Sequence, residues 1–223
     1  MARIKLFILC LSVAVMFGVL TQPAGATSSL SLSDGTSTVT LSDSGIGSVS
    51  YNGSVGNFIL NVTTGITYPI LGTPGAPQLD LNSVNLSSSS GGTLTIMYSA
   101  NNFTTLDAGI SGLITQLGGT TTGTVDLKLY TDAANTLFGK TTLLANLGPY
   151  SSGAFSGSVQ TNVQPTGPYS LTLVATVAHN GGGVNVTSFN GGVAPVPEPA
   201  TSLLLGVGLV GAGLWRKFKQ PSV

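Results

Sequence analysis

Thr93-Leu94-Thr95-Ile96-Met97-Tyr98, Val125-Asp126-Leu127-Lys128-Leu129-Tyr130 and Leu171-Thr172-Leu173-Val174-Ala175-Thr176-Val177 decide the fold. In each run a large apolar side chain returns at every second residue. Side chains of an extended chain alternate between its two faces, so this period predicts strands with one buried face. Thr and Val, which suit pleated surfaces, fill the remaining positions. Shorter runs of the same kind lie at residues 39–41, 58–62, 79–86, 137–144, 155–163 and 184–189. Between them stand turn signals: Asp34-Gly35, Asn52-Gly53, Pro74-Gly75, Gly118-Gly119, Gly148-Pro149 and Asn180-Gly181. Long loops are expected over 65–78 and 87–92. No helical period of ten residues interrupts the pattern. The expected fold is all-β, an antiparallel β-sandwich over residues 27–194. Its shared core is formed by Leu94, Ile96, Val125, Leu127, Leu129, Leu171, Leu173 and Val177.

Charge is scarce and uneven. Of 223 residues only 6% are charged, with seven basic against seven acidic. Five of the basic residues sit at the ends: Arg3 and Lys5, then Arg216, Lys217 and Lys219. The middle holds Lys128 and Lys140 against six Asp and no Glu before residue 195. With no basic surplus to neutralise phosphates, a nucleic-acid partner is not expected. The apolar content of 42% sets the chain apart from a disordered polar linker.

The N-terminal end reads as an export address. Arg3 and Lys5 precede an apolar run from Leu6 to Leu20, and Ala24-Gly25-Ala26 follows. A basic end, an apolar core and small residues at −3 and −1 make a signal peptide over residues 1–26, with signal peptidase cutting after Ala26. The run is shorter than the roughly 20 residues a permanent span needs. Cys10 is the only cysteine and lies inside this leader. The mature chain is therefore expected to have neither disulfide nor thiolate chemistry.

The C-terminal end carries a second address over residues 195–223. Pro197-Glu198-Pro199 is followed by an apolar stretch over 200–215 and a basic tail over 216–219. A small-residue helix, Trp215 at the boundary and a basic cluster have the order of a membrane span with a cytoplasmic stop-transfer end. Gly206-Val207-Gly208-Leu209-Val210-Gly211 spells a dinucleotide fingerprint, but no strand precedes it and no acidic residue follows. This tail resembles a PEP-CTERM sorting signal. Pro197, Glu198 and Pro199 match the tripeptide, residues 200–215 the transmembrane helix, and Arg216, Lys217 and Lys219 the basic end. The resemblance implies an exosortase partner, a transient membrane anchor and cutting near the tripeptide in an exopolysaccharide-producing Gram-negative bacterium. It implies nothing about what residues 27–194 do.

Candidate chemistry within that segment is thin. His179, the sole histidine, stands at a strand end beside Asn180-Gly181 and reads as a surface residue at a hairpin. No G-x-S-x-G elbow presents a serine to it. Asp126 and Asp132 are the nearest carboxylates in sequence, and Asp126 reads as a strand-surface partner of Lys128. No calcium-loop spacing is present, so no metal and no cofactor are expected. Tyrosines and phenylalanines are scattered rather than gathered into a sugar-stacking face.

The expected function is that of a non-enzymatic exported protein of the cell surface or extracellular matrix, with a structural or biofilm-associated role. The alternative is a carbohydrate-binding or adhesive module that engages exopolysaccharide.

Overall fold

The structure is a computed structural model that describes residues 26–43, 45–199 and 204–210. The leader up to Gly25, Ala24 included, most of the expected span and the basic tail, including Arg216, Lys217 and Lys219, lie outside the described residues.

Ten strands follow one another: β1 Ser28–Ser33, β2 Thr38–Ser42, β3 Ser48–Val55, β4 Phe58–Ile66, β5 Leu79–Ser88, β6 Gly92–Phe103, β7 Ile110–Asp132, β8 Thr142–Thr161, β9 Tyr169–His179 and β10 Asn185–Pro197. Every pairing is antiparallel. The three alternating runs quoted above are β6, part of β7 and β9, and they are direct neighbours: Tyr98 opposes Leu173, which opposes Leu129. The strand order is β2-β1-β6-β9-β7-β10-β5-β4-β3, with β8 on the other side of β7.

One long strand makes this sheet a sandwich. On one side of β7, Leu113–Thr121 pairs with β10 and Thr124–Asp132 with β9, while β8 follows both halves on the opposite side. The register shifts between Thr121 and Thr124, where the ribbon bends. Gly123 sits in that corner, and a Cβ there would stand 2.0 Å from the Ala178 carbonyl oxygen. The bend lays β10-β5-β4-β3 over β2-β1-β6-β9. Gly65 of β4 lies flat on the Tyr98 ring of β6, its Cβ position 2.4 Å from the nearest ring carbon. The ends of β8 meet as well, Thr161 Oγ1 donating to the Leu144 carbonyl at 2.7 Å.

The core lies between the two layers. All eight residues expected to face it are fully buried, together with Leu30, Leu32, Phe58, Leu60, Tyr98 and Phe189. Burying each Leu or Ile side chain contributes about 1.5–3 kcal/mol.

Several expectations are corrected. Gly118-Gly119 and Asn52-Gly53 are not turns but lie within β7 and β3, the latter at a bulge. The segments 137–144 and 155–163 do not form two strands. A single β8 runs through Gly148-Pro149, where its pairing to β7 shifts register. The expected loops over 65–78 and 87–92 are shorter, because β4 reaches Ile66 and β5 reaches Ser88.

Candidate functional site

Pro197-Glu198-Pro199 follows directly on a strand. The expected boundary at residues 194/195 falls inside β10, which runs to Pro197. Val196 opposes Gly112, Pro197 opposes Ile110, and the Glu198 amide donates to the Gly109 carbonyl at 2.7 Å. Ser111 Oγ donates to the Val196 carbonyl at 3.2 Å. Pairing to β5 ends earlier, at Val193 opposite Leu79. Residues 194–197 are thus held by β7 alone, and here Pro195 and Pro197 fit, since a strand with one partner does not need every N–H. Pro197, Glu198 and Pro199 are exposed. A short helix over 204–210 follows, with every residue exposed. Among the described residues no helix is long and apolar enough to cross a membrane.

The opposite end of the exported segment is equally close to the sheet. Ala26 is buried, Thr27 N donates to Asn101 Oδ1 at 3.1 Å, and Asn101 N donates to the Thr27 carbonyl at 3.2 Å.

His179 is a buried residue, not a surface one. Its Nδ1 lies 2.8 Å from Ser88 Oγ on β5 and its Nε2 2.8 Å from Thr187 Oγ1 on β10. Thr187 is in turn 2.7 Å from Thr121 Oγ1, and the imidazole packs against the Phe58 ring with centroids 5.5 Å apart. The sequence missed this cluster because its members are 91, 58 and 8 residues from the histidine. A serine does meet a histidine here. Yet both are buried, and the second ring nitrogen faces a hydroxyl where a nucleophile-activating pair would carry an orienting carboxylate. The geometry is that of a polar bridge between layers.

Burial pushes the His179 imidazole below its ordinary value. The unfolded chain takes up that proton near pH 6.5 while the folded chain resists it. Stability therefore holds above about pH 6.5 and falls as pH drops toward the lowered folded value. The melting temperature of the exported segment is expected to decline between pH 7 and pH 5, and His179→Gln should flatten that decline in calorimetry.

The two carboxylates weighed as a pair are separate. Asp126 is largely buried and meets Lys128 at 3.5 Å. Asp132, six residues and roughly 20 Å further along the strand, accepts bonds from the hydroxyls of Thr136 and Thr141 and from the amides of Thr136 and Ala134. These hold its carboxyl down to about 2. Its contribution to stability is lost only between about pH 4 and 2, well apart from the histidine window. Among the described residues no three His, Cys, Asp or Glu side chains gather as a metal site would require.

One open furrow of about 550 Å³ crosses the outer face of β8, β7, β10 and β5. Register sets Ser158, Gln116, Gly192 and Asp80 in one row and Ser156, Gly118 and Asn190 in the next. The glycines form its floor. Asn190 Oδ1 accepts from the Ser83 amide at 2.8 Å and Asp80 from Asn82 Nδ2 at 3.0 Å, which fixes two of its side chains. No cation lines it.

Together these features define an all-β sandwich whose last strand runs directly into a C-terminal address. Residues 195–217 match the family described as the PEP-CTERM protein-sorting motif. The match covers that stretch alone and is consistent with an exported exosortase substrate. No curated protein matches the chain. Among solved structures it is similar to TmCBM61 in complex with beta-1,4-galactotriose, at 8% identity and TM-score 0.29, covering 64% of this chain and 85% of that one. It is also similar to a protein of infectious bursal disease virus, Gx strain, at 14% identity and TM-score 0.34, covering 76% and 55%. A family 6 carbohydrate-binding module gives 17% identity and TM-score 0.23, covering 68% and 93%. Likeness at this level carries no ligand or activity over to this chain.

Proposed function

We propose that this chain is a non-enzymatic surface or matrix protein, made as a membrane-held precursor and processed near Pro197-Glu198-Pro199 by an exosortase. The observation that carries the reading is the sorting motif at residues 195–217, joined without a spacer to the sandwich. Signal peptidase cuts after Ala26, ahead of folding, because the folded chain buries that residue. Residues 200–215 then hold the precursor until the second cut. Moving such a stretch out of lipid costs about 0.8 kcal/mol per CH₂, too much for spontaneous release. Intact mass spectrometry of surface-located protein tests this. A product that begins at Thr27 and lacks Arg216, Lys217 and Lys219 is expected; a chain still ending at Val223 would overturn it.

A second reading, a module that engages exopolysaccharide, is favoured by the furrow over Gly118 and Gly192. Hydroxyls, amides and a single carboxylate suit a polyhydroxylated ligand better than an anionic one. Retention of the released protein on the cell's own polysaccharide, lost on filling the furrow with Gly118→Gln, would support it.

A further inference from the structure

We infer that the processing cut falls on the C-terminal side of Glu198, so that the released protein keeps β10 whole. The inference rests on the exosortase reading and adds the position of the bond. An endopeptidase takes its substrate as an extended backbone free of internal partners, so cutting is governed by the burial and hydrogen bonding of the affected backbone. Residues 194–197 fail that condition. Each pairs with β7, the Val196 carbonyl accepts from Ser111, and the Glu198 amide is bonded to Gly109. Upstream of them β10 lies between β5 and β7. Opening these bonds requires fraying the end of β10 from β7, and cleavage of a folded chain follows the population of its open form.

The tripeptide is nonetheless on display. Pro197, Glu198 and Pro199 are exposed although the backbone up to the Glu198 amide is held. Glu198 is the only acidic residue after Asp132. The arrangement separates reading from cutting: the side chains serve as the address, and the bond that breaks lies beyond the last anchored amide. In that step the peptide C–N bond is hydrolysed. Water supplies the hydroxyl of the new C-terminal carboxyl group on the released domain and the proton of the new amine on the retained tail. Any acyl intermediate on the enzyme's own nucleophile is closed by the same water.

The test is C-terminal peptide mapping of the released protein, made from the full chain in a host that has its exosortase. A terminal peptide containing Glu198 is expected. A terminus at Pro197 or any earlier residue would overturn the inference while leaving the exosortase reading intact. Surface-located protein that still ends at Val223 would overturn both. A variant in which Ser111→Ala removes the bond to Val196 provides a second readout. Loosening this end should let a fraction of the products end upstream of Glu198, while a product distribution identical to that of the wild type would show that this backbone does not set the cut.

Discussion

Glu198→Ala is expected to leave the sandwich folded and the precursor in the membrane, with release slowed about 10- to 100-fold. The magnitude follows from the chemistry of the group. A hydrogen bond to a charged partner contributes about 1.5–3 kcal/mol, and each 1.4 kcal/mol is roughly a factor of ten in rate. The fold should not notice. Glu198 is exposed, and its tie to the sheet runs through the backbone amide, which alanine retains. Exposed substitutions of this kind change stability by about 0.5 kcal/mol or less. Pulse-chase labelling of the precursor and product measures the rate, and thermal denaturation of the exported segment supplies the control. Release at the wild-type rate would remove Glu198 from the recognition step.

Leu173→Ala should cost about 2–5 kcal/mol, because the cavity it leaves lies between Tyr98 and Leu129 in a layer that cannot collapse freely. For a chain of this size that is a fall in melting temperature of roughly 5–15 °C. Leu143→Ala is the matched control. Leu143 belongs to β8 but is 50% exposed, so its loss should be within experimental scatter of zero. Equal effects of the two substitutions would be incompatible with a shared core beneath β6, β7 and β9.

The core was legible because alternation is a local property. Leu94, Ile96, Leu127, Leu129, Leu171 and Leu173 announce their common face without any knowledge of which strand lies beside which. Glycine was harder to read. Gly118-Gly119 has the composition of a turn, yet a Cβ on Gly119 would stand 2.2 Å from the Ser188 carbonyl oxygen, so this glycine answers to the close passage of β10. Only the pairing of β7 on both edges reveals that. The same holds for Gly191, Gly192 and Pro195, which lie in a strand that no local alternation announces, because their partners at residues 79–81 and 113–117 are distant in sequence. The sorting tail was legible from the order of its parts. Its attachment to the sheet was not, since no local signal distinguishes a tethered Pro197 from a free one.

The route by which the chain leaves the domain has a mechanical meaning. Up to Val193 the last strand has a neighbour on each side, both antiparallel to it. On the proposed reading, in which the tail is embedded, drag on the domain is borne by β10, and a pull along its axis meets the ladders on both sides. Ladder bonds lie across that axis, so tension loads many of them at once in shear. An edge strand peeled from one end would instead lose them one by one. Survival under load depends on the unfolding rate, and a strand gripped from both sides makes that rate slow. A precursor held by its tail, as proposed, would be moored by a strand that can bear tension.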